Sequence, residues 1–328
     1  MGIIKWLGAL AGVALFAGAC GGGDKEFEPS SDPARNIDVA QVKKVNAVIA
    51  GSEWAVGTNN FVVGITDEKD EPQSGATVKM TFYDIRDAAN PKQLFVVDGV
   101  QSAPGVGPTV EHLHTSGDTH THGGEDDGRV GYFARVNFTY AGNWGVAVTA
   151  TLKDGKTSDT SNIAFTVVDK ATIVTAGQKA PLSNNLTKAD VKDIKEIDSG
   201  DPPNDMHDVK IKDAIAAGRP VVVVFATPLY CASRFCGPVV EEVEALQEAY
   251  KSKVDFVHIE IWADFATKKL NDTVKQWIVR ADGGLTEPWV FVVDKNGVVY
   301  DRWEGPVARN IMEAAVKDVS EGKIYQAR

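Results

Sequence analysis

No stretch of this sequence is apolar for long enough to cross a membrane as a helix: its charge-free leading run, residues 6–19 (WLGALAGVALFAGA), falls short of the ~20 residues that a span requires. A polytopic membrane protein is therefore excluded. Positive charge is also in short supply, with 34 Lys and Arg against 45 Asp and Glu and a net charge of −11. Such a surface repels phosphate backbones, which argues against nucleic acid as a partner. Cysteine is scarce, at three residues, and no nucleotide, flavin or haem motif occurs. What is present is ordinary for a globular protein: 43% hydrophobic and 24% charged residues, with 31 Gly and 14 Pro. That composition excludes disorder and collagen. At roughly 100–200 residues per domain, 328 residues predict two domains, each able to bury a core.

The first residues stand apart. Lys5 supplies a positive charge ahead of the short apolar run, the pattern of an export signal. The run closes as Phe16-Ala17-Gly18-Ala19-Cys20 and continues into Gly21-Gly22-Gly23. This resembles the lipobox of bacterial lipoproteins, with Ala17 where Leu is usual. The resemblance implies cleavage after residue 19, a lipid on Cys20, and a chain anchored to the bacterial cell membrane on its extracytoplasmic side. The plainer alternative is a secretory signal in which Cys20 is incidental. Residues 20–37 then read as a flexible polar tether. A lipid on Cys20 also resolves the odd cysteine count, because three minus one leaves Cys231 and Cys236 as a pair in a compartment that permits disulfides.

From residue 38 to 170 the chain reads as short, alternating, β-branched runs separated by turn residues. Strands are expected at residues 61–65, 76–83, 132–138, 144–150 and 163–168, with breakers such as DEKDEPQSG at 67–75 between them. The pattern predicts an antiparallel β-sandwich. Residues 132–152, with their Gly-Asn-Trp corner, resemble the immunoglobulin-like domains of bacterial envelope proteins, an architecture that carries no activity of its own.

After residue 170 the grammar changes. Val221 to Ala226 is an unbroken apolar run, as a strand covered on both faces requires. Helices are predicted over 239–250, 270–279 and 307–319, and strands over 254–262, 289–293 and 298–303, the last two joined by the turn Asp294-Lys295-Asn296-Gly297. The order β-α-β-α-β-β-α is that of a three-layer α/β domain over residues 171–328.

Between the first apolar strand and the next helix lies Phe225-Ala226-Thr227-Pro228-Leu229-Tyr230-Cys231-Ala232-Ser233-Arg234-Phe235-Cys236-Gly237-Pro238. With Gly177 to Pro181 and the later Thr286-Glu287-Pro288, this resembles the thioredoxin-like superfamily, in particular membrane-associated thiol–disulfide oxidoreductases of the TlpA and ResA type. The resemblance covers about residues 174–328. It implies thiol–disulfide exchange with a protein thiol or disulfide partner, no required cofactor, and a cis proline at Pro288 facing the sulfurs. One departure stands out: the family has Cys-x-x-Cys after a Trp, and here the spacing is Cys-x4-Cys with no Trp. Residues five apart on a regular helix lie on different faces, so Cys231 is expected in the loop before the helix. Pro238 is expected at the first helical position, with the Cys236 sulfur beside the free N–H groups of the helix start. On that reading Cys236 is the attacking thiolate and Cys231 its resolving partner. A structural staple and a metal site remain as alternatives for the pair. A peroxidase is disfavoured, because Pro228 stands where the Thr of peroxiredoxins is expected.

A second cluster lies in the β-region. His112, His114, His120 and His122 form two His-x-His pairs, followed by Glu125, Asp126 and Asp127. Alternation on an extended strand places both imidazoles of a pair on one side, a ligand set suited to copper or zinc. A solvated loop with no preformed site is the alternative. The resemblance to Sco-type copper chaperones, which use a Cys pair and a distant His, adds a metal-delivery reading with Met206-His207 or His258 as a third ligand. A third reading is a non-catalytic envelope scaffold carrying a staple.

Overall fold

A computed structural model of the chain describes residues 7–8, 42–43, 45–113, 119–124, 130–231 and 233–327. Cys20, the tether and His114 lie outside the described residues. Among the described residues no helix is long and apolar enough to cross a membrane.

The N-terminal half is built from strands. The principal ones are β1 (Val45–Ile49), β2 (Gly57–Asp67), β3 (Thr77–Asp84), β4 (Lys92–Ser102), β5 (Gly107–Leu113), β6 (Thr119–Gly124), β7 (Gly131–Phe138), β8 (Gly142–Thr151) and β9 (Ser161–Val168). Seven of them join in the order β9-β8-β3-β4-β7-β2-β1, every neighbouring pair antiparallel. β4 carries the turn in the sheet: its first part pairs with β3 and its last residues, Val100 to Ser102, pair with Phe133 to Gly131 of β7. Trp54 and Ala55 then run parallel to Val167 and Val168, which ties the chain after β1 to the β9 edge. The result is one continuous, curled, mixed sheet, where the sequence predicts two faces of a sandwich. The predicted strands are present, and β1, β4, β5 and β6 add to them. Inward positions alternate as period-2 patterning demands, and an aromatic cluster fills the curl. Phe61 lies 5.1 Å from Phe82 and from Phe165, and Phe138 lies 4.9 Å from Trp144.

The C-terminal half contains α1 (Ile211–Ala216), β10 (Val221–Ala226), α2 (Cys236–Tyr250), β11 (Asp255–Glu260), α3 (Asp272–Trp277), β12 (Trp289–Val293), β13 (Val299–Glu304) and α4 (Arg309–Ser320). The sheet order is β11-β10-β12-β13, with β10 and β11 parallel and the other pairs antiparallel. All six residues of β10 and all five of β12 are buried, because helices cover both faces. Val222, Val224 and Ala226 face α2 and α4, whereas Val221, Val223 and Phe225 face the opposite layer with Trp277.

The two halves share a core. Along β7, Tyr132, Ala134, Val136 and Phe138 point into the aromatic cluster, while Phe133 joins Val62 in the cluster that contains Val240, Trp303 and Val307. The first four residues of β7 are therefore all buried, since this stretch is covered on both sides. Gly131 sits at the closest approach: a Cβ there would lie 2.8 Å from Pro306 and 3.0 Å from Val62. Polar bonds stitch the same seam. The Ser102 hydroxyl donates to the Pro306 carbonyl and accepts from the Ala308 N–H, both at 2.7 Å. Asp301 accepts from the Asn60 amide at 2.9 Å and pairs with Arg135.

Candidate active site

The cysteine loop is held from three directions. β10 delivers it: the strand ends at Ala226, and the chain turns at Thr227, whose carbonyl accepts the Tyr230 N–H at 3.2 Å. Ser199 accepts the Leu229 N–H at 3.2 Å. On the far side α2 begins at Cys236, preceded by Phe235 without any side-chain cap. Arg234 takes a left-handed backbone, φ 64°, to close the loop.

Cys231 and Cys236 are disulfide-bonded, with Cα atoms 5.9 Å apart. The x4 spacing is thus accommodated as expected, with Cys231 in the loop and Cys236 on the helix. Their environments differ sharply. Cys236 lies on the apolar stripe of α2 with Val239, Val240, Val243 and Leu246, and is 0% exposed. Cys231 is partly exposed, and its sulfur accepts the Cys236 backbone N–H at 3.3 Å. The helix start does supply an N–H and a positive dipole end, but to Cys231. This corrects two expectations. The helix begins two residues earlier than the Pro238 position suggested, and of the two sulfur-bearing residues it is Cys231 that is partly exposed and Cys236 that is buried.

Pro288 is preceded by a cis peptide bond from Glu287 and leads into β12. Ser233 links this turn to the cysteine loop: its hydroxyl lies 3.2 Å from the Cys231 sulfur and 3.1 Å from the Glu287 carbonyl, to which it donates. A carboxylate oxygen of Glu287 and the two sulfurs all lie within 4.8 Å of one another. The turn is anchored from the sheet side as well. Thr286 donates to Glu304 at 2.6 Å, and the other Glu304 oxygen accepts the Ser52 N–H at 2.8 Å. Leu229 and Tyr230 are 66% and 51% exposed, an apolar rim on the open side of Cys231.

His207 and His258 do not approach the sulfurs; they meet at a separate buried cluster around Asp198. Asp198 accepts from the Gly200 N–H, the Asn204 N–H, the Asn204 amide and His207 Nε2, at 2.7–3.0 Å. Burial would raise its pKa, but His258, His207 and these donors together hold the carboxyl far below its usual range. The Asn204 side-chain oxygen accepts the Met206 N–H, so its amide nitrogen faces His258 Nδ1 at 2.8 Å and can only donate. His258 Nδ1 is then the acceptor, and Nε2 carries the proton toward the Ala226 carbonyl at 3.2 Å. Burial lowers the His258 pKa and the Asp198 charge raises it by more. The three ligand-type atoms of Asp198, His207 and His258 lie within 4.8 Å of each other, yet their hydrogen bonds to protein groups make the cluster a clamp. It fixes the 198–207 loop that buttresses the end of β10. On the neighbouring face of α2, burial, with the Asp198 charge adding to it, pushes Glu244 up to about 8.

The His-rich segment is a two-stranded ribbon, β5 paired with β6, with His112 opposite His120 and Val110 opposite His122. At its base, Gly105 abuts Pro238 and its N–H is bonded to Glu242 on α2 at 3.0 Å.

Residues 207–320 match the family model described as a thioredoxin-like domain. That segment of the C-terminal half is thioredoxin-like. No curated protein matches the chain. Among solved structures, the chain is similar to the superoxide reductase (neelaredoxin) of Ignicoccus hospitalis, at 9% identity and a TM-score of 0.19, covering 42% of this chain and 93% of that one. A single-site variant of the same enzyme aligns at 10% identity and a TM-score of 0.21, over 42% and 92%. At such TM-scores neither likeness bears on fold or function. In the thioredoxin-like domain the sulfurs sit where strand β10 gives way to helix α2. Sequence patterning missed Glu287, Ser233 and the Asp198 clamp; only the buried place of Cys236 was recoverable, by extending the α2 stripe three residues back from Val239.

Proposed function

We propose that the protein is a thiol–disulfide oxidoreductase that works through Cys231 and Cys236. The observation that carries this reading is the asymmetry of the pair: an accessible sulfur at a helix start, bonded to a buried one. In the oxidised form a substrate thiolate attacks Cys231. The Cys231–Cys236 bond breaks, and its electron pair leaves on Cys236. A second substrate thiol then attacks the substrate sulfur of the mixed disulfide, releasing Cys231 as a thiolate that the Cys236 N–H and helix dipole stabilise. The substrate leaves oxidised and the protein reduced; the reverse sequence reduces a substrate disulfide. Pro288 follows the Glu287 carbonyl that Ser233 bonds, and the superfamily resemblance implies that it presents substrate backbone. No cofactor enters this chemistry.

Trapping tests the assignment. Cys236→Ser should accumulate a covalent mixed disulfide with a scrambled or disulfide-bearing protein substrate, and Cys231→Ser should accumulate none. A reduction potential below about −300 mV together with no trapped adduct would mark an inert structural bond and sink the reading.

The reading of location rests on the residues before the fold. The short apolar run and Cys20 support a lipid anchor on the extracytoplasmic side of a bacterial membrane, and an immunoglobulin-like role for the sheet-rich half would make it the spacer. Metabolic labelling with a fatty acid, lost in Cys20→Ser, tests the anchor. The two His-x-His pairs of the sequence favour a second reading, copper or zinc binding by His112, His114, His120 and His122. Equilibrium dialysis with each metal, on wild type and on the variant lacking all four His, decides it.

A further inference from the structure

We propose that reduction of the Cys231–Cys236 bond creates a binding site for a borderline divalent cation such as zinc, with Glu287 as the third protein ligand. The inference rests on the same sulfurs as the exchange reading, but on a residue that exchange does not require. One Glu287 carboxylate oxygen and the two sulfurs already lie within 4.8 Å of one another. A tetrahedral zinc ion asks for Zn–S distances of about 2.3 Å and Zn–O distances of about 2.0–2.2 Å, so its ligand atoms stand closer together than that limit. While the disulfide is closed, its sulfurs carry no charge and bind no zinc. Once a dithiol donor reduces it, giving up two electrons and two protons and leaving as a disulfide, two thiols face one carboxylate. Binding the cation then releases both thiol protons, forms two metal–thiolate bonds and adds the Glu287 oxygen.

Three features favour this site. The Cys236 N–H already points at the Cys231 sulfur at 3.3 Å, which favours the thiolate that a metal needs. Ser233 joins the Cys231 loop to the Glu287 turn, holding the ligands of separate segments together. Cys231 and Glu287 are each partly exposed, which leaves an entry path and a fourth position for water. The donor set also selects the ion. A carboxylate is a hard ligand that suits zinc and does little for copper(I), which prefers soft donors alone.

Cadmium is the probe, because its thiolate complexes absorb in the ultraviolet. The full chain, reduced and kept under anaerobic conditions, should develop a thiolate-to-cadmium band with one equivalent of cadmium, and the oxidised chain should not. Glu287→Gln should retain the band but bind about tenfold or more weakly, and Cys236→Ser should lose most of it. Equal affinity in wild type and Glu287→Gln, or no band in the reduced wild type, overturns the proposal. Exchange activity measured in parallel with a chelator present keeps the two readings apart. Exchange without cadmium binding removes the metal site alone, and cadmium binding without exchange removes the oxidoreductase alone. Zinc added to the reduced protein should suppress exchange, and the chelator should restore it.

Discussion

Glu287 sets a negative charge beside two sulfurs whose reduced forms are themselves acidic, and that charge has a direction of effect. It disfavours the thiolate and so favours the closed disulfide. Glu287→Gln, measured against glutathione buffers with a chelator present, should raise the reduction potential by on the order of 30 mV, equivalent to about one unit of thiol pKa. The Cys231 thiol should titrate lower by a similar amount, and unchanged values would show that the carboxylate does not sense the sulfurs. Glu244 gives a second residue-scale prediction. Its carboxyl is raised from 4.5 to about 8 in the fold, so between those values the native protein holds a proton that the unfolded chain releases. Its contribution to stability is therefore complete below about pH 4.5 and is lost as the pH climbs toward 8. Glu244→Gln should flatten the fall in stability over that window relative to wild type, as read by urea melts across pH. The cysteine pair, Pro288 and the strand-to-helix setting were legible in the sequence, because each is a local signal. Glu287 as a neighbour of the sulfurs was not, since 51 residues separate it from Cys236 and only the fold brings them together.

At the scale of elements, helices and strands of the thioredoxin-like domain could be read because their patterns are strong: β10 and β12 are wholly apolar, and the α2 stripe repeats every three to four residues. β4 escaped reading. Its alternate residues Leu94, Val96 and Val100 are 43–55% exposed, so its apolar positions do not sort into an inside and an outside face. β7 shows the opposite case, in which a clean alternation is overridden where Gly131 to Ala134 meet the other half of the molecule. Phe133→Ala should cost about 3–5 kcal/mol in denaturant unfolding, as a large aromatic lost from a closed core does. Gly131→Ala should also destabilise, because Pro306 and Val62 leave no room for a methyl group. Neither change touches the cysteine loop, so the exchange activity of the folded fraction should persist.

Among the described residues the two halves of the molecule meet at a packed seam. Val62 and Phe133 lie in the same cluster as Trp303 and Val307, so the sheet-rich half completes the core of its neighbour. Denaturant unfolding should therefore proceed as a single transition, with coincident curves from tryptophan fluorescence and far-ultraviolet circular dichroism; two separated transitions would show that the halves stand alone. Sequence grammar marked a change in patterning near residue 170. It gave no sign of the shared core, because the residues that form it are spread over the whole chain and look, one by one, like ordinary strand residues.

Ser102 shows what this sharing means for anyone who would shorten the protein. Its single hydroxyl occupies the buried space between Pro306 and Ala308, just ahead of α4. A fragment that begins after β9 would expose a carbonyl and an amide that had never met solvent, at the very lip of its closing helix. Trimming to an isolated redox module would thus start by fraying the end of the chain farthest in sequence from the cut.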